Sequence, residues 1–287
     1  MNTASQSVPP PRVPTGIPGL DAILGGGLFK AGVYIVMGRP GTGKTVFGNQ
    51  VGFHHVASAG RVVYVTLLSE THGRLLAFLQ NMSFFNGDVV GSEIAYLNGY
   101  TDTERDGLAG LMKLVRSAVR ERAASLLVID GMVTASTVAP TDTAYKKFIQ
   151  ELQSWVELIG CTVILLTSAG GEVEVRPEQT MVDGVMELGI RAVGSRRVRQ
   201  LHVTKFRGSA YLEGQHSYEI TESGLVVYPR LEPALAGSEP VDLEPDRASF
   251  GVEGLDDMIG GGLLRGSTTL IIGGTGSGKS MLGNHFL

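Results

Sequence analysis

Residues Gly16 to Gln50 align without a gap on Gly251 to His285, every pair 235 positions apart. The identities include Gly19/Gly254, Leu20/Leu255, Asp21/Asp256, Gly25-Gly26-Gly27 against Gly260-Gly261-Gly262, Leu28/Leu263, Lys44/Lys279 and Asn49/Asn284. Solenoid repeats run to roughly 20–45 residues, so a period this long is that of a whole domain, and the chain begins the same fold twice. Residues 14–228 are expected to form the first domain, behind a flexible arm at 1–13. Tyr228 to Ser249 reads YPRLEPALAGSEPVDLEPDRAS, rich in proline and acid and without periodicity, which makes 229–249 a linker. Residues 250–287 open the second copy. They are too few to fold alone, since below roughly 40 residues a chain needs disulfides, metal or a partner, so a fragment of a longer two-domain protein is expected.

Within the first copy, strand and helix take turns. Val33 to Met37 is a short apolar run, Gly43 to Val56 has a helical pattern, and Arg61 to Leu67 is again strand-like. Leu108, Leu111, Met112, Val115 and Val119 have helical spacing before the strand Ser125 to Ile129. Tyr145 to Ile159 carries Phe148, Leu152, Trp155, Val156 and Ile159 on one helical face, ahead of the strand Cys161 to Leu166. Apolar strands joined by helices of this length imply an α/β fold: a mostly parallel central sheet with helices on both faces. Beyond Asp183, shorter runs broken by Gly194-Ser195, Gly208-Ser209 and Glu222-Ser223-Gly224 point to an antiparallel, hairpin-rich end.

Gly38-Arg39-Pro40-Gly41-Thr42-Gly43-Lys44-Thr45 fits G-x-x-x-x-G-K-[ST] and stands where that motif has a mechanism, after a strand and at the start of a helix. Glycines let backbone N–H groups turn inward around a β-phosphate, and the helix N-terminus adds positive potential. Lys44 then reaches β- and γ-phosphate oxygens, and Thr45 is a Mg²⁺ ligand. Gly38, Pro40, Gly41, Thr42, Gly43, Lys44 and Thr45 are thus the candidate nucleotide site. Gly273 to Ser280 repeats the pattern, adding Gly276, Ser277, Gly278, Lys279 and Ser280 as a second one. A metal-orienting acid belongs at the end of a neighbouring strand, and Leu126-Leu127-Val128-Ile129-Asp130 supplies it in Asp130. Glu70, after the strand that ends near Leu67, is read as the group that positions the attacking water; the other reading is that Ser69 caps the next helix and Glu70 favours its dipole.

These segments together resemble the KaiC branch of the RecA-like P-loop NTPases, the circadian-clock ATPases and their many non-clock relatives. The carriers are TGIPGLDAILGGGL, GRPGTGKT, VTLLSET, LLVID, KFRG at Lys205 to Gly208, and the reopening FGVEGLDDMIGGGLLRGSTTLIIGGTGSGKS. The resemblance implies ATP and Mg²⁺ held between subunits of a hexameric ring, with Lys205 and Arg207 reaching the neighbour's γ-phosphate and Ile220 and Glu222 near the base or ribose. An arginine acting across subunits in this way is worth about 10³ to 10⁵ in rate. Relatives carry two adjacent glutamates where this chain has Ser69-Glu70, so slow or abolished hydrolysis is expected. Two other readings stand beside it: an ATP-gated signalling scaffold, and a RadA-like DNA-dependent recombinase or helicase. The autokinase activity of clock members lies in their second domain, and nothing in this sequence assesses it.

Composition narrows the partners. A net charge of −4 gives no global attraction to nucleic acid or anionic lipid. The single cysteine, Cys161, rules out an intrachain disulfide and fits a reducing cytoplasm, and no stretch reaches the roughly 18 apolar residues of a membrane span. Adjacent His54 and His55 point about 100° apart on a helix and lack a third ligand, so they are read as structural. Arg191, Arg196, Arg197 and Arg199 flank a turn without interleaved aromatics and are read as a solvated or intersubunit hairpin.

Overall fold

Strand and helix alternate because most apolar runs of this chain can be covered from two sides. The structure, a computed structural model, describes residues 10–68, 72–168, 177–231 and 246–286. The chain divides into two units, Met1–Ala236 and Gly237–Leu287. The first holds β1 (Arg12–Val13), α1 (Leu20–Ile23), β2 (Leu28–Phe29), β3 (Val33–Gly38), α2 (Lys44–Ala57), β4 (Val62–Thr66), α3 (His72–Leu79), β5 (Ile94–Asn98), α4 (Tyr100–Arg122) and β6 (Leu126–Asp130). It continues through α5 (Met132–Val138), α6 (Asp142–Ile159), β7 (Thr162–Thr167), β8 (Gly184–Val193), β9 (Arg196–Phe206), β10 (Gln215–Thr221) and β11 (Gly224–Tyr228).

Among the described residues a nine-stranded sheet runs in the order β11-β10-β9-β8-β3-β7-β6-β4-β5. From β8 to β5 every pairing is parallel, and from β8 to β11 every pairing is antiparallel. This is the α/β architecture with an antiparallel end. Successive side chains of β3 face opposite ways, as the two-residue strand period requires. Tyr34 and Val36 pack in one cluster with Phe47 and Val51 of α2, while Val33 and Ile35 join Leu111 and Val115 of α4 and Phe148, Leu152 and Val156 of α6 in another. Burial on both faces is why these strands read as unbroken Val, Ile and Leu runs. Helix α6 is bounded by its own chemistry: Thr141 Oγ1 accepts from the Ala144 N–H at the start, and Gly160 (φ 70°) ends it.

Arg12–Val13, read as the end of the arm, pair with Leu28–Phe29, and Arg247–Ala248, read as linker, pair with Leu263–Leu264; two further features depart from the sequence reading. Strand β5 was not expected; it pairs with β4 at the sheet edge and, among the described residues, with no other strand, a single bridge from Ile94 to Val90 apart, so its run IAYLN lacks the continuous apolar signature. Helix α4 is broken at Gly107 (φ 63°, ψ −151°), and the expected helical spacing begins at Leu108, after the break.

The second unit holds β12 (Arg247–Ala248), α7 (Glu253–Met258), β13 (Leu263–Leu264) and α8 (Lys279–Phe286). It repeats local bonds of the first unit at the same offset. Arg12 Nη1 donates to the carbonyls of Leu24 and Gly27, and Arg247 Nη1 to those of Ile259 and Gly262. Asp21 accepts from the Thr15 N–H, and Asp256 from the Phe250 N–H. Residues 268–274, which match the β3 region, form no strand.

Candidate active site

Strand β3 delivers the glycine-rich loop to its C-terminal end, and α2 begins at Lys44. Leu166 of the intervening β7 pairs with both Val36 and Asp130, which brings the Asp130 carboxylate to the same end of the sheet as the loop. Thr45 Oγ1 donates to Asp130 Oδ2 at 2.9 Å. Tyr64 Oη donates to that same oxygen at 2.9 Å. Lys44 curls over the loop, its Nζ donating to the carbonyls of Gly38 at 2.7 Å and Arg39 at 3.1 Å.

Two glycines set the shape of the loop. Gly41 (φ 79°) and Gly43 (φ 96°) adopt the left-handed conformation that suits glycine. A Cβ on Gly43 would stand 2.6 Å from Ile220 Cδ1, whereas one on Gly41 would meet nothing within 4 Å. The first i→i−4 bond of α2 runs from the Phe47 N–H to the Gly43 carbonyl, leaving the amides of residues 44–46 as the helix's N-terminal donors.

Burial works against both charges of the site. Burial pushes the Asp130 carboxyl above the usual carboxylate range, against the bonds from Thr45 and Tyr64 and the charge of Lys44. Burial lowers the Lys44 ammonium, with the Asp130 charge opposing. Tyr64 is held well above the usual phenol range by its burial and then by Asp130. The hydroxyl of Thr45 and the carboxylate of Asp130 are hard oxygen donors, which suit a Mg²⁺ ion that takes its other positions from phosphate and water. Among the described residues no group of three His, Cys, Asp or Glu could hold a metal unaided.

The other expected residues are dispersed. Ser69 and Glu70 lie outside the described residues; the strand before them ends against Asp130, whose carbonyl accepts the Leu67 N–H at 2.8 Å. Lys205 and Arg207 are away from the loop of their own chain. Phe206 pairs with Gly184, the Arg207 N–H donates to Asp183, and the Asp183 N–H donates to Val33. Arg207 is therefore level with the start of β3, five residues or about 16 Å along the strand from Gly38. Lys205 Nζ and Arg207 Nη2 share the Thr180 carbonyl at 2.7 and 2.8 Å, and Lys205 is lowered by burial and by the Arg207 charge. Ile220 lies against the loop, while Glu222 is exposed in the turn after β10, its carbonyl accepting the Ser83 N–H. In the second unit Lys279 Nζ bonds the carbonyls of Gly273 and Gly274 and Ser277 Oγ bonds Gly274, the pattern of Lys44 and Thr42 with Gly38 and Arg39, with Gly276 and Gly278 again left-handed. Ser280 follows at the start of α8.

Of the residues set aside, His55 shares a hydrogen bond with Ser125 Oγ and the arginine hairpin is exposed or half-exposed; Trp155, on the apolar face of α6, is buried. Sequence reasoning missed Tyr64, Tyr218 and Gln50. Tyr218 Oη donates to the Thr42 carbonyl at 2.6 Å, and Gln50 joins α2 to β11. A hint was available in Tyr64, since a tyrosine in a strand buried on both faces needs a partner for its hydroxyl.

A family model described as the KaiC ATPase matches residues 13–232 and 248–287. The circadian clock oscillator protein KaiC of Acaryochloris marina is 26% identical over 294 residues, 96% of this chain and 54% of its own length. A UPF0273 protein of Thermotoga maritima is 29% identical over 242 residues, 76% of this chain and 96% of its own. The crystal structure of a KaiC-like protein from Pyrococcus horikoshii shares the fold with a TM-score of 0.67 at 24% identity, covering 77% of this chain and 100% of that one. The chain spans about half the length of the clock proteins it matches. Among the described residues no helix is long and apolar enough to cross a membrane.

Proposed function

The chain belongs to the KaiC ATPase family, and we propose that it binds Mg²⁺-ATP on Gly38–Thr45 and hydrolyses it slowly, between subunits of a ring. Nucleotide binding follows from the family; the metal, the rate and the ring are the parts proposed. The observation that carries the reading is the 2.9 Å bond from Thr45 to Asp130, made across the sheet beside Lys44. In this reading Gly38, Gly41 and Gly43 shape the cradle, Lys44 turns from the loop carbonyls to the β- and γ-phosphates, and Thr45 with Asp130 holds Mg²⁺. The ion would neutralise charge on the phosphate oxygens. Glu70, three residues beyond the Leu67 amide that bonds Asp130, orients the attacking water.

Lys205 and Arg207 are assigned to the neighbouring subunit's nucleotide, because about 16 Å separates Arg207 from the end of its own β3, further than its side chain reaches. Lys44→Ala tests the core of the reading. Its Mg²⁺-ATP affinity is expected to fall at least tenfold in an equilibrium titration, and an unchanged affinity would sink the assignment. Ser69, in place of a glutamate of the relatives, favours a second reading in which ATP binding assembles the ring and hydrolysis is incidental. Phosphate release measured alongside oligomer mass, with and without ATP, separates the two.

A further inference from the structure

We propose that Tyr218 is a positioning residue for the phosphate loop: its hydroxyl fixes the Thr42–Gly43 peptide so that the Gly43 N–H faces the nucleotide. The proposal rests on the nucleotide reading above and deepens it.

Tyr218 lies in β10, 176 residues from the loop in sequence, and its ring is 2% exposed. The one polar atom of that side chain ends on the Thr42 carbonyl oxygen at 2.6 Å. No described peptide is cis, and in a trans peptide the C=O and the following N–H point in opposite directions. Holding the Thr42 oxygen against β10 therefore turns the Gly43 N–H toward the open side of the loop. Two residues along the same strand face, Ile220 supports Gly43 from below. Two other loop carbonyls have partners as well: those of Gly38 and Arg39 accept from Lys44, and that of Arg39 also from Thr42 Oγ1. When Lys44 swings to a phosphate it releases its two carbonyls, whereas Tyr218 has no reason to let go. The Tyr218 bond, like that of Thr42 Oγ1 to Arg39, is thus a restraint on loop shape that survives ligand binding, and a loop already shaped loses less entropy when an anion binds.

Tyr218→Phe keeps the ring and removes the hydroxyl. Fluorescent ATP and ADP, each with Mg²⁺, are titrated into the full chain, into this variant and into Tyr228→Phe, a control whose exposed hydroxyl bonds Glu219. Losing one hydrogen bond to the loop is expected to raise Kd for ATP and ADP alike by about three- to tenfold. Binding of AMP, which has no β-phosphate, is expected to stay within twofold, and Tyr228→Phe is expected to match the unaltered chain. ATP and ADP affinities unchanged in Tyr218→Phe would overturn the proposal. So would an equal loss for AMP, or a variant that no longer melts cooperatively, since either assigns the hydroxyl a purely structural role. An unaltered chain that fails to bind ATP at all would instead remove the nucleotide reading itself.

Discussion

Gln50 and Leu225 are joined twice: the Leu225 N–H donates to Gln50 Oε1 at 2.7 Å, and Gln50 Nε2 donates to the Leu225 carbonyl at 3.2 Å. Gln50 Nε2 also reaches the Gly16 carbonyl at 3.3 Å, so one buried amide ties the phosphate-loop helix to β11 and to the segment before α1. Gln50→Leu would leave the Leu225 N–H and C=O buried and unpaired. A buried polar group without a partner costs about 1–3 kcal/mol, so the urea midpoint should fall by the equivalent of about 2 kcal/mol. A midpoint equal to that of the unaltered chain would mean that water or a shifted backbone replaces these bonds.

The proposed Mg²⁺ role of Asp130 is expected to come at a cost in stability. Its carboxylate is 5% exposed, and in the nucleotide-free chain its charge faces two hydroxyls and a lysine occupied elsewhere. Burying an incompletely paired charge is costly, and asparagine preserves shape without it. Asp130→Asn is expected to raise the thermal midpoint of the nucleotide-free protein while weakening the dependence of ATP binding on Mg²⁺ at least tenfold. Calorimetry with and without nucleotide tests both halves, and a midpoint that falls would show that the charge is better compensated than its hydrogen bonds indicate.

Lys205 and Arg207 make a prediction about mixtures. A Lys44→Ala subunit has a defective loop but an intact Arg207, while Arg207→Ala has the reverse. If the arginine acts across a subunit boundary, each variant alone should be nearly inactive, by about 10³-fold or more, and mixing them should restore part of the phosphate release. Activity in the mixture equal to the average of the two variants would contradict action in trans.

His216 gives the first unit an acid sensitivity. It is fully buried, with Nδ1 accepting the Arg230 N–H at 3.0 Å and Nε2 donating to the Leu212 carbonyl at 2.9 Å, which is the neutral tautomer with both nitrogens satisfied. Burial lowers its pKa below 6.5, the Leu212 bond opposes, and the charges of Arg230 and His202 lower it further. His55 is lowered in the same direction, chiefly by burial. A folded-state pKa below the unfolded value means that the unfolded chain takes up the proton first. Stability from this source is complete above about pH 7 and declines as pH falls through 6.5 toward the folded value. The thermal midpoint should therefore drop between pH 7.5 and 5.5, above the range in which ordinary carboxylates titrate, and His216→Gln should flatten that slope. A midpoint that rises over this interval would refute the assignment.

What the sequence made legible was local. Gly38 to Thr45 could be read because loop, lysine and helix start are contiguous, and Asp130 because an acid closing four apolar residues marks a strand end. The meeting of Thr45 with Asp130 then follows from strand order. Tyr64, Gln50 and Tyr218 were out of reach because their partners stand 66, 175 and 176 positions away, and neither periodicity nor a motif encodes such a pairing. The edge strand β5 was missed because a strand with one neighbour needs no continuous apolar run. Lys205 and Arg207 came from family resemblance alone; their alternating placement is also that of an ordinary solvated strand.

The repeat separates what a local sequence specifies from what needs a sheet. Capping aspartate, bracing arginine, loop lysine and positive-φ glycines recur 235 positions on with the same partners, since each pairing spans at most about one helix turn or hairpin. The strand does not recur. Val33–Gly38 lies between β7 and β8, whereas residues 268–274 form no strand, and Leu270 and Ile272 are 79% and 85% exposed. A β-strand has no hydrogen bonds of its own, so apolar sequence without neighbours cannot hold the conformation. Hydrogen exchange on the full chain should therefore find the amides of residues 34–37 among the slowest and those of 269–272 exchanging at nearly the rate of an open chain. Protection of 269–272 comparable to that of β3 would mean that in solution this segment is paired by strands of another copy, and a concentration dependence of that protection would identify the pairing.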